Sequence, residues 1–351
     1  MAYPGVTRDL RACLELRPPA RLPVLALGLE VDMRLAGLDH EEQRTDPAKA
    51  VGAIVEAVRR FDYDWGMVFP DDYIEFEPLG LKMSHPPDGP AMAAEYLPLT
   101  RPTLRNLRLP DARREMRLPI HLEMIRRLKA ALGDTVCLAG RIAAPFSAAA
   151  LVYGIDTWLM AMLDEPALVR DNTEFFIEHQ IAFGRAQLEA GADLLWLGDC
   201  VAGSYFIGPA QYVEFAFEPA ARVIEAMNAA GGLVIYHSAE ISLPHLRHQA
   251  RLPPCAINVG EGPLISEIRE ALGGRRCLTG NFDPKFLRDA APAQVAAATE
   301  AMIRANLPGG GYIFNTGEGI MSTTPPENDE AMMRTAKAVV SEITPGGRPV
   351  S

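Results

Sequence analysis

His237 closes the apolar run LVIYHS at 233–238, and Glu318 stands between two glycines in the stretch N-T-G-E-G. An imidazole at the end of a buried run can act as base, acid or ligand near neutral pH. The glycines beside Glu318 let the backbone turn tightly and carry a carboxylate close to a ligand. Other polar residues follow other apolar runs: Glu30 and Asp32, Asp71 and Asp72, Arg141, Asp199 with Cys200, Glu240, Asn258, Asn281 with Asp283, and Asn315. The set is acidic, with one histidine and one arginine. The competing reading is that such residues only cap the helices that follow. It is strongest for Asp283, which precedes Pro284 as a helix start would. It is weaker for Asp71 and Asp72, which no obvious helix follows. His245 and His248 fall on a helical stretch and read as surface residues.

These residues need elements to hold them. Eight short apolar runs read as strands: 22–28, 65–70, 136–140, 194–199, 233–238, 255–260, 277–282 and 312–317. Near-continuous apolar runs mark strands buried on both faces, as in parallel sheets. Between them, 47–61, 111–132, 165–189, 209–230, 263–272 and 290–306 carry helical spacing, several opening on a capping residue and a proline. This alternation implies right-handed βαβ units, and eight strands favour closure into an α/β fold of the (β/α)8 barrel type. Barrels of that kind place their sites just past the strand ends, where the polar residues above lie. The whole chain reads as one domain. The Pro-rich stretch 71–110 is expected to form a hairpin and a lid-like insertion, and 1–20 and 344–351 to be peripheral. Gly309–Gly311 reads as a helix end and turn rather than a phosphate loop.

Composition narrows the function. The 351 residues are 48% hydrophobic and 23% charged, ample for a large core. The formal net charge of -11 argues against nucleic-acid binding. Five cysteines without CxxC spacing argue against a disulfide framework or a structural zinc module. No basic region followed by an apolar run opens the chain, and no run is long enough to span a membrane. A soluble, cytoplasmic protein is expected.

Four segments carry a family resemblance. They are DWGMVFPDDYIEFEPLGLKM at 64–83, GADLLWLGDCVAGSYFIGPAQYVEFAFEPAARVI at 191–224, LTGNFDP at 278–284 and YIFNTGEGIMSTTPPEN at 312–328. Together they resemble the uroporphyrinogen decarboxylase superfamily over roughly residues 60 to 340. The resemblance implies a (β/α)8 barrel, and it places Asp71 on the aspartate essential to the decarboxylases. Two departures matter. The stretch ALGLEVDMRLAGLD at 26–39 stands where decarboxylases carry an arginine-rich motif, and Glu318 replaces their C-terminal histidine. Carboxylates without an arginine clamp oppose a porphyrinogen bearing eight carboxylates.

The other branch of the superfamily comprises methyltransferases that work with corrinoid proteins. Its thiol-transferring members bind zinc through an H-x-C pair and a later cysteine. Here those positions read His237-Ser238-Ala239 and Gly317-Glu318-Gly319, so that site is absent. A zinc site of His237 and Glu318, with Cys200, Asp199 or Glu240, remains chemically open. The resemblance thus implies a methyltransferase moving a methyl group between a small O- or N-methyl substrate and a corrinoid carried by a partner protein. Asp71, His237 and Glu318 would be catalytic. Glu30, Asp72, Arg141, Asp199, Asn281 and Asn315 would contact substrate. The alternatives are a carboxy-lyase on a tetrapyrrole or smaller carboxylate, and a non-catalytic binding protein. A homodimer is compatible with either.

Overall fold

Apolar runs flanked by turn residues become strands wherever both faces can be covered. The computed structural model describes residues 3–86, 89–307 and 310–343. Its strands are β1 (Trp65–Met67), β2 (Lys82–Ser84), β3 (Met92–Glu95), β4 (Cys137–Ala143), β5 (Leu194–Gly198), β6 (Leu233–Glu240), β7 (Ala256–Val259), β8 (Cys277–Phe282) and β9 (Tyr312–Thr316). Seven of them form one curled parallel sheet in the order β1-β4-β5-β6-β7-β8-β9. Every residue of β4, β7, β8 and β9 is buried, as a sheet covered on both faces requires.

The expected first strand, 22–28, does not form. Only Val24 bridges to Phe314, with Leu25 N–H donating to the Phe314 carbonyl at 2.8 Å. On its other side Asp64 N–H donates to the Val24 carbonyl at 3.1 Å. The local chemistry explains the lost ladder. Pro23 has no N–H to give, and Val24 N–H is taken by the Asp64 carboxylate at 2.8 Å. Asp64 is fully buried and also pairs with Lys337 on the last helix. The two edges of the sheet, β1 and β9, therefore meet this one extended segment.

Helices cover the outer face. Pro47–Phe61 begins as its sequence suggests, with the Asp46 carboxylate accepting from Ala48 N at 2.9 Å and Lys49 N at 3.1 Å. Pro166–Ala190 and Pro292–Asn306 likewise start on proline. Residues 3–14 are not peripheral. Val6–Leu14 is an amphipathic helix whose Val6, Leu10 and Cys13 are fully buried, and its following turn packs on Gly310 and Gly311. Gly310 and Gly311 adopt left-handed φ of 72° and 69°, the turn expected there, while Pro308 and Gly309 lie outside the described residues. Residues 344–351 also lie outside them.

Within 71–110 the antiparallel hairpin β2–β3 is present. The chain after it is tied to the helix Pro145–Tyr153 by Leu97 N–H donating to the Val152 carbonyl at 3.0 Å. Among the described residues no single helix is long and apolar enough to cross a membrane.

Candidate active site

A cavity of about 560 Å³ opens where β1, β4, β5, β6 and β9 end. Its walls are mainly apolar, from Leu27, Met67, Phe69, Leu151, Trp196 and Ile320 among others. The polar side chains reaching it are Glu30, Asp72, Arg141, Ser147, Cys200, His237 and Glu318.

Parallel register positions the central pair. Gly198 on β5 lies opposite His237 on β6, which lies opposite Asn258 on β7. Gly198 carries no side chain, so nothing stands between the Arg141 guanidinium on β4 and that part of the cavity floor. His237 Nδ1 lies 3.0 Å from Asn258 Oδ1. The Asn258 amide nitrogen donates to the Thr316 carbonyl at 3.2 Å, so its oxygen is left to accept from Nδ1–H. That fixes the tautomer and leaves Nε2 as the nitrogen that exchanges its proton with the cavity. Nε2 faces Glu318 Oε1 at 3.4 Å, and the ring lies against Trp196 with centroids 4.7 Å apart.

Burial alone would push the His237 pKa down. The Cys200 sulfur and the Glu318 carboxylate outweigh it and hold the imidazole well above its ordinary value. Glu318 moves the opposite way. Burial would raise it, but the hydrogen bond and charge of His237 leave it below the ordinary carboxylate value. The two shifts agree on an imidazolium–carboxylate pair at neutral pH.

At the other end, Arg141 donates to the Asp72 carboxylate, to the Asp72 carbonyl at 3.2 Å and to Glu75 Oε1 at 3.3 Å. Its guanidinium sits over the Phe69 ring at 5.2 Å. Glu75 is buried, and burial pushes its carboxyl up to about 7 against the pull of Arg141.

The other expected site residues do not line this cavity. Asp71 turns away and pairs with Arg117 at 2.8 Å, while its second oxygen accepts from Tyr73 N at 2.8 Å. Asp199 is fully buried behind the wall. It accepts from Ser147 Oγ at 2.7 Å and Tyr236 Oη at 2.6 Å, and burial lifts it to about 6. Asn281 donates to the carbonyls of Gly260 and Pro263, both at 2.8 Å, and Asn315 accepts from Thr316 N at 2.9 Å. Glu240 accepts from Ser204 Oγ at 2.7 Å and from the backbone N–H of Ser204, Ile241 and Ser242 at 2.8, 2.9 and 2.6 Å. Asp32 is drawn below the wall toward Tyr63, and Asp283 caps its helix through Lys285 N at 2.7 Å. His245 is not a surface residue; it is buried against Tyr212.

Glu240 is thus saturated by hydrogen bonds and withdrawn from any metal set. His237, Glu318 and Cys200 share one end of the cavity, but among the described residues no three His, Cys, Asp or Glu side chains are arranged to hold a metal ion. As placed, the residues do not fit a zinc site. Trp196, Phe69 and Ser147 were missed from sequence, and Asn258 was seen only as a strand-end residue without a role. Only the alternation of LLWLG, with Trp196 and Gly198 on one face, pointed to any of them.

The uroporphyrinogen decarboxylase (URO-D) family model matches residues 7–339. The chain belongs to that family. Among curated relatives, the uroporphyrinogen decarboxylase of Anaeromyxobacter dehalogenans (strain 2CP-C) is 29% identical over 80% of this chain and 82% of its own. That of Anaeromyxobacter sp. (strain Fw109-5) is 28% identical over 96% and 97%. Among solved structures, a methyltransferase from Methanosarcina mazei superposes with a TM-score of 0.85 at 19% identity, covering 95% of this chain and 98% of its own. At that identity the likeness bears on fold alone. Family members are enzymes, and the curated relatives above are named as decarboxylases.

Proposed function

We infer that this protein is a methyltransferase of the family, moving a methyl group from a small O- or N-methyl compound to a corrinoid carried by a partner protein. One observation carries the reading. The cavity is small, mostly apolar, and holds a preformed imidazolium–carboxylate pair, His237 and Glu318. Arg141, the one arginine lining it among the described residues, is shared between Asp72 and Glu75. A porphyrinogen with many carboxylates would meet Glu30, Asp72 and Glu318, with Arg141 able to pair with one of its carboxylates at most.

The chemistry follows from the pair. An alkoxide leaves poorly from a neutral ether, so transfer needs a proton at the leaving oxygen. His237 Nε2–H supplies it. As the methyl–oxygen bond breaks, its electrons stay on oxygen, the oxygen takes the proton, and the substrate leaves as an alcohol. Glu318 holds the ring protonated until then, and Asn258 holds its orientation. Trp196 and the aliphatic walls exclude water from the reacting atoms. The corrinoid, when its carrier is docked, supplies the nucleophilic centre that receives the methyl group. Tyr205, Phe206, Ile241, Leu264 and Phe286 are exposed on the segments after β5, β6, β7 and β8, and give a docking carrier apolar area. We read the sheet, with 22–28 across its open side, as a (β/α)8 barrel, the hairpin of 71–110 as its lid, and the setting as cytoplasmic.

The test is direct. Purified protein is mixed with reduced free cobalamin and a panel of methyl ethers and methylamines, and corrinoid methylation is followed by absorbance. A parallel arm offers uroporphyrinogen under reducing conditions, and bound zinc is measured in the same preparation. Methylation lost in His237→Ala supports the reading. Formation of coproporphyrinogen would overturn it in favour of decarboxylation, the activity named for the curated relatives. Stoichiometric zinc lost in both His237→Ala and Glu318→Ala would replace the proton donor by a Lewis acid.

A further inference from the structure

We propose that the substrate is a small flat monoanion, an aryl carboxylate with its methylated heteroatom at the opposite end of the ring, and that Arg141 anchors the carboxylate. The methylated end rests on the methyl-transfer reading above; the anion rests on Arg141 itself.

Arg141 is the only lysine or arginine among the described residues lining the cavity. Its guanidinium reaches over Gly198, within 3.9 Å of where a side chain there would begin, and Gly198 is the register partner of His237. Arg141 on β4 and His237 on β6 thus face the cavity from either side of Gly198 on β5. Gly198, without a side chain, leaves room between the two groups for a flat ligand that touches both. The walls suit a ring. Phe69 lies under the guanidinium, Trp196 lies against His237, and the rest of the lining is largely aliphatic.

The anchor is already charged with a substitute. The Asp72 carboxylate occupies Arg141, yet its side chain is 56% exposed against 9% for the arginine. It reaches in from the surface loop and can swing back to water. A ligand carboxylate arriving there exchanges one ion pair for another, so the buried guanidinium is never left unpaired. The second partner, Glu75, is 1% exposed and cannot leave. Burial keeps its proton affinity high, which leaves Asp72 as the counter-ion that ligand must displace. A second negative group on the ligand would meet Glu30 or Glu318, which restricts the class to monoanions.

Calorimetric titration with 4-methoxybenzoate and with the neutral, same-shaped 4-methoxybenzamide tests this without any methyl acceptor. The acid should bind at least tenfold tighter than the amide. Asp72→Ala should tighten the acid several-fold, because it removes the internal competitor, and leave the amide unchanged. Arg141→Gln should erase the difference between the two; if that variant does not fold, the surface change Asp72→Ala still decides. Equal binding of acid and amide, binding of neither, or weaker acid binding in Asp72→Ala overturns the proposal. Selective acid binding, with no methylation of reduced cobalamin by 4-methoxybenzoate in the separate assay above, would uphold the anchor and sink only the methyl-transfer reading.

Discussion

At the scale of single residues, His237 and Glu318 form a proton-holding pair whose pH behaviour can be forecast. A proton donor works only while protonated. The raised pKa of His237 therefore keeps turnover high through neutrality and ends it as pH rises through that value. Glu318→Gln removes one of the charges holding the proton, so the alkaline limb of the rate profile should move to lower pH while substrate affinity changes little. An unmoved limb would detach Glu318 from the proton. His237→Ala should abolish turnover and leave Asn258 Oδ1 without its donor, which costs about 1–3 kcal/mol of stability in denaturant titrations. Glu318 is 39% exposed, and its loss should cost under about 1 kcal/mol. Both residues were legible in sequence because each ends a strand. Asp71 and Asp72 were not separable, because they sit side by side on an irregular loop. What parts them is Arg117 for one and Arg141 for the other, partners far along the chain that no local pattern reveals.

At the scale of elements, seven of the eight expected strands form, because long apolar runs between helices have no other way to bury both faces. The eighth failed for reasons outside its own pattern. A buried carboxylate from the next segment took its N–H, and a proline interrupted it. The helix Val6–Leu14 was missed because its amphipathic stripe precedes the first strand, where no alternation announces it. Asp64 now joins three elements: the 22–28 segment, the approach to β1, and the last helix through Lys337. Burial disfavours the charged lysine, so the pair is stable only as a pair. Asp64→Asn should leave Lys337 buried and unmatched and cost about 3–5 kcal/mol in a denaturation midpoint. The double variant Asp64→Asn/Lys337→Met should recover part of that loss. Strict additivity of the two changes would show that the pair is not coupled.

At the scale of the whole molecule, several buried acids hold protons that the unfolded chain would release. Burial lifts Asp199 to about 6 and Glu75 and Asp329 to about 7, and Asp32 is raised beside Asp329. For an acid raised by folding, the folded state binds more protons between the two pKa values, so stability falls as pH rises through that window. His237, raised by its partners, acts in the same sense above its unfolded value. His121 and His179 act oppositely. Burial lowers both to about 4, so they oppose folding as pH drops below about 6.5. The acids outnumber these two histidines. The melting temperature should therefore decline from pH 6 to pH 8, and scanning calorimetry showing a rise over that range would refute the account. The segment 22–28 is held by a single bridge and a few hydrogen bonds while its Leu27 lines the cavity. Its amides should trade protons for deuterons sooner than those of β4 to β9, and a ligand in the cavity should slow that trade at Leu27 and Leu29 first. The seam between the two sheet edges would then serve as a gauge of occupancy, readable by mass spectrometry peptide by peptide.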